Sequence, residues 1–136
     1  MPMTVQVVTP SGVLFETEDA TFVAASGEGG DLGVETNHSN LLTTLRIGPL
    51  RIRAGDAERL FAVHGGFLEA TPHAVRIVAD AAEPADAIDV ERARSARRRA
   101  EERLKRKAAD TDLARVEAAL KRSLLRLEVA GKAGRI

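Results

Sequence analysis

Arg92, Arg99 and Arg103 recur at spacings of seven and four residues, and Arg115, Arg122 and Arg126 repeat the same spacing further along the chain. At about 100° per residue each trio falls along one edge of a helix. A guanidinium is a planar fork of donors that grips carboxylate or phosphate oxygens two at a time, so two such rows suit the binding of an anion. The first row lies within AIDVERARSARRRAEERLKRK, from Ala87 to Lys107. Other reactive groups are sparse. His38, His64 and His73 are far apart and show no HxH or HExxH spacing, which points to surface or core positions rather than metal ligands. Ser11, Ser26, Ser39, Ser95 and Ser123 lack the strand-to-helix elbow of a nucleophilic serine, and SGEGGDLG matches neither GxGxxG nor a phosphate-binding loop. The chain has no cysteine. No catalytic residue and no metal set is assigned.

The elements that carry the arginines follow from composition. Residues 1–87 hold 5 Lys and Arg against 12 Asp and Glu, and residues 88–136 hold 15 against 8, so the net charge of zero is a cancellation of −7 and +7. Nine of the 11 glycines and all five prolines also fall before residue 88, leaving the last third free of helix breakers until Gly131. There Asp89 stands ahead of a periodic run as an N-cap, with Ile88 as the apolar residue before it. Ala93, Ala96, Ala100 and Leu104 share one helical face. The segment Ala109-Asp110-Thr111-Asp112 breaks the helix and offers a new cap, and a second helix presents Leu113, Val116, Leu120, Leu124 and Leu127. So short a connection predicts an antiparallel hairpin. Its approximate two-fold axis carries one arginine row onto the other, so both border one shallow groove.

Before the hairpin the pattern is that of strands. VQVV, FVAA, LRIR, LFAV and VRIVA are aliphatic or β-branched runs, separated by the turn residues Pro10-Ser11-Gly12, Gly27-Glu28-Gly29-Gly30, Ala54-Gly55-Asp56 and Thr71-Pro72-His73. Leu50-Arg51-Ile52-Arg53 and Val75-Arg76-Ile77 alternate apolar with charged. The expectation is an all-β sandwich or barrel over residues 1–86 followed by an all-α hairpin over residues 87–136. MPMTVQVV lacks the basic and apolar regions of a secretory leader, and no apolar run approaches the roughly 20 residues of a membrane span. The sequence therefore reads as neither secreted nor inserted in a membrane.

Three other uses of the basic hairpin compete with anion binding. The charges can be plain solvated surface, supported by pairs such as Glu91 with Arg94 and Glu102 with Arg106. They can bind nucleic acid, but the acidic first part would repel phosphate and residues 88–136 contain no aromatic side chain to stack on a base. They can lie on a membrane surface, against which the first helix offers mostly alanine, too small to bury firmly in lipid.

The opening VVTPSG, GDLGV followed by His38 and LLT, GGFLE at Gly65 to Glu69, and VRIVADAAEPADAIDVERA at Val75 to Ala93 stand in an order and spacing that resembles the epsilon subunit family of bacterial F-type ATP synthases. The resemblance covers residues 4–130. One departure lies after GDLGV, where the family commonly has a proline and a glycine and this chain has Glu35-Thr36-Asn37-His38-Ser39-Asn40.

The resemblance implies a β-sandwich that grips the gamma shaft and rests on the c-ring, helping to couple proton flow to ATP synthesis, and no catalysis by this chain. It implies a peripheral place on the cytoplasmic face of the cell membrane, reached only through the complex. It also implies a switch: a compact hairpin permits ATP hydrolysis, and a hairpin extended along gamma into the alpha and beta subunits inhibits it, with Lys121, Arg122 and Arg126 facing an acidic segment of beta. Some members bind ATP on the hairpin through Ile or Leu, Asp, two variable residues, Arg and Ala. Ile88, Asp89, Arg92 and Ala93 match that pattern, and Glu83, Arg99, Arg122 and Arg126 occupy the family's other nucleotide positions. No cofactor is implied as required; ATP, with or without Mg, is a regulatory ligand that is bound and not hydrolysed.

Overall fold

The computed structural model describes residues 2–106, 109 and 111–136. Lys107 of the arginine-rich stretch and Asp110 of the expected helix break lie outside the described residues. The chain forms two compact units, one ending at Pro84 and the other Ala85–Ile136.

The first unit consists of seven strands: β1 (Met3–Thr9), β2 (Gly12–Gly27), β3 (Gly30–Glu35), β4 (Leu41–Ala54), β5 (Ala57–Thr71), β6 (Ala74–Ala79) and β7 (Ala82–Pro84). All four turn clusters expected from sequence coincide with junctions between strands, their outer residues belonging to the strand ends. The hydrogen-bonded order is β1-β6-β5-β4-β2-β3, with β7 against β5 and a further pairing of β1 with β2. Strand β2 makes that closure possible because it is long: its first half pairs with β1 from Gly12 to Ala20, and its second half pairs with both β3 and β4. The result is a closed barrel, antiparallel except where β1 and β6 run parallel.

Alternation fills the interior. Leu50 and Ile52 are buried while Arg51 and Arg53 point outward, and Val75 and Ile77 are buried around the exposed Arg76. Phe61, Met3, Leu50, Ile52, Leu68 and Ile77 are among the largest fully buried side chains. The second glycine of GGFLE has a steric cause. Gly66 sits at φ +132°, and a Cβ there would stand 2.1 Å from the Val78 carbonyl oxygen, so strand β6 leaves room for no side chain.

The second unit opens with a 3₁₀ turn at Ala85–Ala87 and continues as α1 (Val90–Arg106) and α2 (Leu113–Lys132). Asp89 caps α1, its Oδ1 accepting from the Arg92 backbone N–H at 3.0 Å, and Asp112 caps α2 in the same way from Arg115 at 3.2 Å. Ala93 and Ala100 of α1 are buried, as the alanine stripe requires. On α2 the expected leucine face is only partly right. Val116 is buried, but Leu113 and Leu124 are 43% and 44% exposed. Leu124 lies about 80° around the helix from Val116, beyond the edge of the buried arc, which instead runs through Ser123, Leu125, Val129 and Ala130. The buried Ser123 hydroxyl donates to the Leu120 carbonyl at 2.9 Å, so a polar side chain is tolerated there.

Candidate functional site

The two helices are antiparallel, and an open groove of ≈ 540 Å³ lies between them. Arg99 and Arg103 from α1 and Arg115 and Arg122 from α2 line it, together with the small side chains Ala96, Ala100 and Ala119. The small residues let the helices approach closely, and the arginines rise along the groove from both helices. Two arginines of each predicted row stand on this groove, and the third of each, Arg92 and Arg126, does not line it.

The cationic side chains of α1 divide into two populations. Arg94 donates to Glu91 at 2.6 Å, Arg97 to Glu101 at 2.8 Å, and Arg106 lies 3.9 Å from Glu102. These are the neighbour pairs of an ordinary solvated face, and for those side chains the plain reading is sufficient. By contrast Arg92, Arg99, Arg103, Arg115 and Arg122 have no carboxylate partner among the described residues. Arg99, Arg103, Arg115 and Arg122 of this set line the groove; Arg92 does not, nor does Arg98, which donates to the Ser95 hydroxyl at 3.2 Å rather than to a carboxylate, nor do the paired arginines. Mutual repulsion of the groove arginines is weakened by solvent but is relieved fully only by an anion.

The positions assigned from the family pattern fall in different places. Arg99 and Arg122 lie on the groove, whereas Arg92 and Arg126 are not part of its lining. Ile88 is 2% exposed and Ala93 also 2%, so both are core residues at the start of α1, with Asp89 as the cap between them. Lys121 is exposed, and Arg122 and Arg126 are half-buried. Glu83 belongs to the first unit, on β7, where its Oε1 lies 3.4 Å from Nε2 of the buried His64. His73 is exposed and His38 half-buried. Among the described residues no three His, Cys, Asp or Glu side chains gather as metal ligands, and no helix is long and apolar enough to cross a membrane.

Arg135 escapes the sequence reading. It lies past α2, yet its Nη1 donates to the carbonyls of Ala85 at 2.8 Å and Ile88 at 2.6 Å. The one available signal is Gly134 before it, a residue type that reverses the chain after a helix.

Comparison with known proteins agrees with this architecture. Residues 2–85 match the family model for the ATP synthase delta/epsilon chain beta-sandwich domain, and residues 86–131 match that for its long alpha-helix domain. The chain is 45% identical over 127 residues to the ATP synthase epsilon chain of Bacillus velezensis, covering 93% of this chain and 96% of that one. It is 46% identical over 130 residues to the epsilon chain of Moorella thermoacetica, with 95% and 96% covered. In fold it is similar to a chain of the Euglena gracilis mitochondrial ATP synthase structure, with a TM-score of 0.79 at 18% identity over 98% of this chain and 81% of that one. With both family models matched over residues 2–131 and these identities over most of its length, the chain belongs to the delta/epsilon family of ATP synthase subunits.

Proposed function

We propose that the chain is a non-catalytic central-stalk subunit of a proton-translocating F-type ATP synthase, and that its helical unit is an ATP-responsive switch. The fold likeness to a chain of the Tetrahymena thermophila mitochondrial ATP synthase structure of the central stalk and c-ring, with a TM-score of 0.58, supports the stalk assignment. In this reading the β-unit holds gamma and the c-ring, and the complex stands on the cytoplasmic face of the membrane. The closed hairpin permits hydrolysis. The extended hairpin inhibits it by presenting Lys121, Arg122 and Arg126 to the beta subunits.

One observation carries the ligand assignment: guanidinium groups from both helices border a single groove without carboxylate partners among the described residues. Arg99 and Arg122 supply bidentate donors to phosphate oxygens, and Arg92 and Arg126 extend their rows along the two helices. Asp89 and the backbone of the first turn of α1 face the ribose and base, with Ile88 and Ala93 fixing that turn by burial. Glu83 is assigned by the family pattern alone. ATP that binds only the closed form, present at about 100 times its dissociation constant, stabilises that form by about 2.7 kcal/mol, a shift of about a hundredfold.

Calorimetric titration of the full chain with ATP, with and without Mg²⁺, tests the assignment. Heat of binding and a raised melting temperature are expected, and Arg99→Ala and Arg122→Ala lose most of both. Absence of heat and of a melting shift at millimolar ATP defeats the ligand claim. For the switch, removing residues 87–136 is expected to release inhibition of hydrolysis in the assembled complex while coupling survives; inhibition that persists without them defeats it.

A further inference from the structure

Beyond α2 the chain turns back on itself. The Ala133 N–H donates to the Val129 carbonyl at 3.1 Å, that of Gly134 to Gly131 at 3.0 Å and that of Arg135 to Ala130 at 2.9 Å. Gly134 takes φ +76°, a left-handed conformation open to glycine at no steric cost. This turn aims the Arg135 guanidinium at two carbonyls, those of Ala85 and Ile88, which are 50 and 47 residues distant in sequence.

Those two acceptors need a donor. Ala85 and Ile88 are 8% and 2% exposed. The Ile88 carbonyl precedes the cap of α1 and therefore has no intrahelical partner. The Ala85 carbonyl receives only a long 3.4 Å bond from the Ile88 N–H. A cation just past α2 is also favoured by the negative end of that helix's dipole. The same guanidinium thus joins the end of the second helix to the turn that introduces the first, and it does so on the backbone of Ile88, next to Asp89.

We infer that Arg135 is the latch of the closed hairpin and the residue that positions the Ala85–Asp89 turn. When the hairpin opens, both charge-assisted bonds break and the two carbonyls lose their donor. The alanine-lined interface offers little apolar burial to compensate, so the latch sets how often the hairpin opens. Its consequence for ATP rests on the proposed function: the latch holds the Ile88-Asp89 turn in the form that ATP recognises.

Native-state hydrogen exchange of the full chain without ATP reads the latch directly, because it reports even rarely populated openings. Arg135→Ala is expected to speed exchange of α1 and α2 amides at least about tenfold, in line with the strength of hydrogen bonds to charged groups. Arg135→Lys falls between, since an ammonium lacks the planar fork. First-unit amides stay unchanged. Helix exchange equal to the unsubstituted chain, or a rise shared by the first unit, overturns the latch. Calorimetry on the same variants separates the two ideas. ATP heat from the unsubstituted chain, together with faster helix exchange in Arg135→Ala that added ATP slows again, supports both. Faster helix exchange in Arg135→Ala, with no ATP heat from the unsubstituted chain, keeps the latch and removes the ATP reading. Unchanged exchange and undiminished ATP binding in the variant remove the latch and keep the ATP reading.

Discussion

The two units hide very different side chains. The barrel buries Phe61, Met3, Leu50, Ile52, Leu68 and Ile77 completely, whereas among the described residues the buried set of the helical unit consists of Ala85, Ala93, Ala100, Ala130 and Ser123 beside four larger side chains, Ile88, Val116, Leu125 and Val129. Burying a large aliphatic or aromatic side chain stabilises by about 1.5–3 kcal/mol, and an alanine contributes a fraction of that. The barrel also closes its own hydrogen-bond ladder through β2, while each helix forms its backbone bonds along its own length and meets its neighbour through side chains, with the Arg135 bonds tying the end of α2 to the turn before α1. One unit is built to persist, and the other closes on small side chains, as the proposed ligand-set switch requires.

Substitutions can break or sharpen that contrast. The largest effect belongs to the barrel: Phe61→Ala is expected to cost about 3–5 kcal/mol, read as a lowered denaturation midpoint, because the ring is 1% exposed and packs tilted against Phe15 at 5.4 Å. A loss below about 1 kcal/mol would remove the claim that the barrel is the firmer unit. Next comes Ala100→Leu, which overfills the helix interface. It is expected to cost about 1–3 kcal/mol, seen as faster amide exchange in α1 and α2 with the barrel unaffected. Asp112→Ala removes the cap of α2 and is expected to cost about 1 kcal/mol, read as fraying of the first turn of α2 by exchange. The smallest effect is that of Glu91→Ala, whose exposed pair with Arg94 contributes under about 0.5 kcal/mol, a difference that vanishes in high salt. A large loss there would mean that the outer arginines matter as much as those of the groove.

Much of this was legible in the sequence because two periodicities are clean. Leu50 to Arg53 alternates with period two, and the arginine rows repeat at seven and four, so the strand faces and the groove both follow from counting. Strand β3 was not legible, since GDLGVE is glycine-rich and mostly exposed and is held by its pairing with β2 rather than by propensity. The first half of β2 was missed for a related reason, its Val13 being 56% exposed and its alternation blurred by acidic residues. In the helical unit the alanine stripe follows from its spacing, whereas Leu113 and Leu124 share a face with Val116 by periodicity and yet lie past the edge of the interface, whose offset around α2 no periodicity specifies. Arg135 could not be found by pattern. Its acceptors are backbone carbonyls, which have no residue type, and they lie nearly the whole hairpin away in sequence.

The ion pairs on the outside of α1 have a consequence for what an opened tail would be. Each joins residues three or four apart, as does the Lys132 to Glu128 pair on α2, and both N-caps bond within their own first turn. None of these supports depends on the partner helix, so undocking takes nothing from them. An undocked tail is therefore expected to stay largely helical while its amides, no longer shielded by the partner helix, open and exchange faster, so that it keeps much of its reach and its rows of charge.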